Sequence, residues 1–94
     1  LTQKKMKYLQ NLIFDVFGVQ PNDVKYKICV DIIQNEINRP SLSQKQKDVL
    51  LLYYHQGLSV TQIASLLEVN KSTISKRLSN FRIKLKLRYI YLTK

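Results

Sequence analysis

Eight polar residues toward the C-terminus hold most of the chemistry this chain can offer. Lys71, Ser72, Thr73, Ser75, Lys76, Arg77, Asn80 and Lys84 fall in one stretch without a carboxylate. The Arg77 guanidinium can donate two parallel hydrogen bonds, and a guanine edge presents two acceptors to match; Asn80 can pair with an adenine edge in the same two-bond manner. Lysines at 71, 76 and 84 suit phosphate charge, and the hydroxyls of Ser72, Thr73 and Ser75 add short donors. If a helix begins at Lys71, Ser72 and Thr73 lie in its first turn, where free amides and the helix dipole favour an anion.

Those residues work together only if a helix holds them on one side. Ile74, Leu78, Phe81 and Leu85 recur at three- and four-residue spacing, which makes one apolar stripe of a helix from Lys71 to about Tyr91. Asn70 stands in the capping position before it. A shorter helix should precede it, from Ser59 to about Leu67: Ser59 and Gln62 form a capping-box pattern. Ile63 and Leu67 face inward from this helix, Val69 plugs the turn, and Ala64 is small enough for two backbones to approach closely. The pair is a helix-turn-helix whose second member would enter a major groove. Upstream, Ser43 caps a helix over residues 44–56 that carries Val49, Leu50, Leu52, Tyr53 and Tyr54, and Gly57 closes it.

The net charge of +10 over 94 residues agrees with a polyanionic partner. The excess is uneven: from Lys71 onward there are eight Lys/Arg and no acid. Hydrophobic residues at 45% suffice for a core, and two glycines and two prolines leave little punctuation, which favours long helices. Cys29 is alone and reads as a buried reduced thiol. With one Cys and one His there is no zinc-ligand set, and His55 has no Cys or carboxylate near it, Asp48 being two turns away. Gly-rich phosphate loops and paired carboxylates are missing too, so no enzyme activity, cofactor or metal is expected. No apolar run reaches the roughly 18 to 20 residues of a membrane span, so no membrane partner is expected. The chain starts at Leu1, as a processed or trimmed product or a piece of something longer would.

The N-terminal half reads as helical. Met6, Leu9, Ile13, Val16 and Phe17 give residues 2–17 an apolar face, and Gly18 ends that helix. A turn follows at Val19-Gln20-Pro21-Asn22-Asp23. Residues 24–33 alternate as a strand does, yet Val24, Ile28, Ile32 and Ile33 also fit a helix face. A strand would find only Tyr89 to Leu92 as partner, so a helix over 22–38 is expected, ended at Arg39-Pro40-Ser41. Ile13, Phe17, Gly18, Val19, Val24 and Ile28 repeat the mutual spacing of Ile63, Leu67, Glu68, Val69, Ile74 and Leu78. That raises a degenerate second helix-turn-helix, with bulky Phe14 in the place of Ala64 and with Asp23, Asp31 and Glu36 on its second helix, where phosphates would repel them.

Several stretches resemble sigma-70 region 4. They are Leu42-Ser43-Gln44-Lys45-Gln46-Lys47-Asp48-Val49-Leu50-Leu51-Leu52-Tyr53-Tyr54, Gly57-Leu58-Ser59, Gln62-Ile63-Ala64, Leu67, and Ser72-Thr73-Ile74-Ser75-Lys76-Arg77-Leu78. The run Leu78-Ser79-Asn80-Phe81, with Lys84-Leu85, is also similar to the LuxR-type helix-turn-helix. The resemblance covers about residues 42–85 and implies a helical DNA-binding domain with the helix from Lys71 in the major groove. Its family has Gly in the turn where Glu68 stands here, and a non-Gly residue at positive φ costs of the order of 1 kcal/mol.

The expected fold is all-α: a compact helical bundle containing a helix-turn-helix, with an N-terminal helical extension. Residues 1–40 would complete the core, dimerise, or form the degenerate repeat; residues 41–94 would be the DNA-binding domain. The expected function is sequence-specific binding of double-stranded DNA, in transcription regulation or as a sigma-like promoter reader. The alternatives are the DNA-targeting domain of a transposase or recombinase, and a protein-interaction module without DNA binding. Partners would be duplex DNA and RNA polymerase, or a second copy, in a prokaryotic cytoplasm and its nucleoid. The second apolar stripe, Ile83, Leu87 and Ile90, is expected either to pack inside the molecule or to meet that second copy.

Overall fold

The structure is a computed structural model that describes residues 3–39 and 42–93, with side chains from Lys7 onward in the first helix. Five α-helices follow one another: α1 (Gln3–Phe17), α2 (Tyr26–Ile37), α3 (Gln44–Leu50), α4 (Val60–Leu67) and α5 (Lys71–Leu92), with a π-helical segment, Leu51–His55, continuing α3. The bundle is all-α among the described residues. The long α5 is its spine, touching each of the other four helices. No helix among the described residues is long and apolar enough to cross a membrane.

One core joins both halves of the chain. α1 buries Leu12, Ile13 and Val16, α2 buries Cys29, Ile32 and Ile33, and these meet Val49 and Leu50 of α3 and Leu78, Phe81 and Leu85 of α5. Leu12, unexpected from the spacing, is fully buried, whereas Leu9 and Phe17 are only partly covered. Thr2 and the Met6 side chain lie outside the described residues. Burial pushes the Cys29 thiol up to about 11, so it is protonated at neutral pH.

The expected helix over 22–38 begins four residues late. Asp23 N–H donates to Gln20 C=O and Tyr26 N–H to Asp23 C=O, two consecutive turns around Pro21. The Asp23 carboxylate accepts from Lys25 N–H at 2.8 Å, a local bond that competes with helix. The strand alternative does not occur: residues 26–33 are all in α2. Arg39 follows the end of α2, while Pro40 and Ser41 lie outside the described residues.

The late start also ends the internal repeat. Ile13 and Ile63 are both fully buried, and Gly18 and Glu68 both sit at positive φ where a helix ends. Beyond that point Val24 is 94% exposed while Ile74 is 0% exposed. Phe14, in the place of Ala64, faces solvent instead of a neighbouring backbone.

The helix expected over 44–56 is regular only to Leu50. Its start is a capping box: Ser43 Oγ accepts from Gln46 N–H, and Gln46 Oε1 accepts from Ser43 N–H. Gln56 N–H then donates five residues back to Leu51 C=O, which widens the last turns into a π-helix. This widening leaves Tyr54 buried and Leu51 partly exposed. The His55 ring lies near that of Tyr8.

Candidate nucleic-acid interface

α4 starts at the expected capping box. Ser59 Oγ accepts from Gln62 N–H at 3.1 Å, and Gln62 Oε1 accepts from Ser59 N–H at 2.9 Å. Ile63 and Ala64 are buried, on a helix that packs against α5. The turn is made by Glu68 in left-handed conformation, φ 57° and ψ 46°, and by Val69 N–H donating to Ala64 C=O. A residue with a Cβ therefore stands where glycine would fit without strain.

α5 starts after Asn70, but not as its capping role predicts. Asn70 has the extended backbone of a cap, and its carbonyl accepts from Thr73 N–H, yet its side chain makes no capping hydrogen bond. Hence the Asn70 side chain takes none of the first-turn amides.

The inward stripe of α5 is as expected: Ile74, Leu78, Phe81 and Leu85 are all buried, anchoring the helix on α4 and the core. Of the eight candidate site residues, Lys71, Ser72, Ser75, Lys76, Asn80 and Lys84 are exposed, and Thr73 and Arg77 are half-buried. All eight are thus at or near the surface on one helix. Lys84 is set apart, being roughly 20 Å along α5 from Lys71 at 1.5 Å per residue. Such a distance suits a phosphate beyond the groove better than a base edge.

The ion pairs divide the cations of α5 into two groups. Lys71, Lys76, Arg77 and Lys84 have no ion-pair partner among the described residues, whereas Arg82 pairs with Asp15 at 3.2 Å and Arg88 approaches Glu36 at 3.7 Å. Arg82 Nε also donates to the Tyr54 hydroxyl at 2.9 Å, and that hydroxyl donates to Asp15 Oδ2 at 2.6 Å. The Arg82 guanidinium lies 5.4 Å from the Tyr53 ring centre, a cation–π contact. Glu36 is almost wholly buried between Arg39 and Arg88; its Oε2 is 3.1 Å from Arg39 Nε but makes no hydrogen bond of good geometry. Charge rather than hydrogen bonding compensates it there.

Arg82 and Arg88 thus hold the N-terminal helices, and the spacing of basic residues along α5 did not separate them from the surface cations. Their place on the wheel gives no signal either, because Lys71 and Arg77 flank the apolar stripe as closely as Arg82 does.

The family model described as Sigma-70, region 4 matches residues 40–85, just under half of the chain. Over this segment the chain is similar to the helix-turn-helix DNA-binding domain of region 4. No curated protein and no solved structure matches the chain. Asp15 and Glu36, which anchor Arg82 and Arg88, lie outside the matched segment.

Proposed function

We propose that this chain reads double-stranded DNA in transcription, with the first three turns of α5 in the major groove. The observation that carries the reading is the surface of those turns. Three cations, Lys71, Lys76 and Arg77, remain without ion-pair partners beside Ser72, Ser75 and Asn80, on a helix whose opposite stripe is fully packed. In this reading Arg77 and Asn80 contact base edges, while Lys71, Lys76 and Lys84 contact phosphates. Ser72, Thr73 and Ser75 supply short hydrogen bonds to the backbone near the helix start.

The region 4 match favours a promoter-reading role beside RNA polymerase over a stand-alone regulator. Selection of bound sequences from a random duplex library tests the first claim. A shared motif supports it, and salt-insensitive retention without a motif overturns it. Sedimentation with and without RNA polymerase tests the second, because a stand-alone regulator does not co-sediment with polymerase.

A further inference from the structure

The exposed face of α5 changes character halfway along. Lys76, Asn80, Ile83, Leu87 and Ile90 follow one another at spacings of four, three, four and three, so they form a single strip. Its first part is polar and its second part apolar: Ile83 is 51% exposed, Leu87 62% and Ile90 58%. The opposite side of the same turns is occupied, by Leu85 in the core, Tyr89 packed on Phe17, and Arg88 beside Glu36. The ridge is therefore held in place and left uncovered, starting less than one turn past Asn80.

We propose that Ile83, Leu87 and Ile90 dock an acidic amphipathic helix of another protein, apolar at the matching spacing and with carboxylates on both flanks. Charge decides the occupant. In a seam centred on Leu87, the flanking positions are Lys84 and Lys86, both exposed and without an ion-pair partner among the described residues. A second copy brings no remedy along this helix, since no acid follows Glu68 in the chain. The acids that pair with α5 side chains, Asp15 and Glu36, already face Arg82 and Arg88. Pairing α5 with α5 buries the apolar ridge but sets lysines against lysines. An acidic helix covers the same ridge and neutralises both flanks.

The test uses the whole chain and two fluorescent heptad-repeat peptides. Both carry leucines at three- and four-residue spacing; one is flanked by glutamates and the other by lysines. The glutamate peptide should bind with salt-sensitive affinity, and the lysine peptide should not. Leu87→Ser, at an exposed position, should weaken the glutamate peptide about tenfold, with Ile83→Ser as an independent second variant. Duplex affinity should change by less than about twofold in both, because the reading turns are untouched. Arg77→Ala should leave peptide binding unchanged, which separates this site from the base-reading turns, Lys84 alone being common to the phosphate contacts and the peptide flank. Equal binding of the two peptides, or glutamate-peptide affinity unaffected by both serine variants, overturns the proposal. So does a dimer of the free chain that Leu87→Ser dissociates. Loss of all duplex binding with peptide binding intact would overturn the DNA reading and leave this one standing.

Discussion

Asp15 on α1 and Arg82 on α5 meet 3.2 Å apart with the Tyr54 hydroxyl between them. Burial, reinforced by the hydrogen bond to Asp15, raises the Tyr54 phenol above its ordinary value, so it stays a donor at neutral pH. The contact ties α1 to the spine of the helix-turn-helix through one hydroxyl.

Tyr54→Phe keeps the ring and removes both hydrogen bonds. The direct Asp15–Arg82 contact survives it, and the Asp15 side chain is 45% exposed, so water takes over part of the lost bonding. The expected loss is about 1 kcal/mol of unfolding free energy, read from urea titration at neutral pH. A change below about 0.3 kcal/mol would mean that solvent replaces the network fully.

The helix-turn-helix was legible because its signals are local and agree with one another. The capping box at Ser59 and Gln62, small Ala64 and the stripe from Ile74 to Leu85 all demand the same two helices. Other features escaped because they depend on partners distant in sequence. Arg82 looks like any other cation of α5 until Asp15 and Tyr54 are brought to it. The π-helical turn at Leu51–His55 has no composition of its own. The start of α2 was misplaced because Asp23 satisfies the backbone locally, and Val24 then falls outside the helix it would have joined. The ridge at Ile83, Leu87 and Ile90 was visible as apolar periodicity, but its exposure follows from the shape of the bundle.

Glu68 offers a stabilising change. Its φ of 57° is the sole positive value among the described non-glycine residues. A side chain in that region costs about 1–2 kcal/mol, whereas glycine enters it freely but adds entropy to the unfolded chain. The net expectation for Glu68→Gly is a gain of about 0.5–1 kcal/mol, seen as a higher thermal midpoint. Removing the carboxylate also takes a negative charge from beside α5, so nonspecific duplex affinity at low salt should rise. A lower midpoint would show that the Glu68 side chain makes up for its own strain.

Cys29 predicts how stability behaves in alkali. Its folded thiol is pushed up to about 11 by burial, from an ordinary value near 9. Below the ordinary value both states keep the proton, and this group gives no pH dependence. Between the two values the unfolded chain releases its proton and the folded chain keeps it, so stability falls as pH rises. The thermal midpoint should therefore drop from about pH 9 to about pH 11. Cys29→Ala lowers the midpoint everywhere by opening a cavity, but it should flatten the slope across the first part of that window. Tyr8, pushed up to about 12 by burial, adds its own slope only from its ordinary value near 10 upward. A slope unchanged in Cys29→Ala would assign the alkaline loss to the tyrosines alone.

Lys76 and Arg77 are neighbours whose loss should read differently. Lys76 is exposed on a point-charge stem, which neutralises a phosphate whatever base lies below it. Arg77 is half-buried, which leaves it fewer rotamers than a fully exposed side chain, and its planar fork matches a two-acceptor base edge. Lys76→Ala should weaken preferred and scrambled duplexes by the same factor and lower the logarithmic salt slope by about one. Arg77→Ala should cost about 1–3 kcal/mol on the preferred duplex and much less on the scrambled one, so that selection from a random library loses information at one position. Anisotropy titrations over a salt series with both duplexes separate the two patterns. If the arginine variant loses affinity uniformly while the lysine variant loses preference, the two roles are exchanged, and α5 is rotated in the groove by about one residue, roughly 100°.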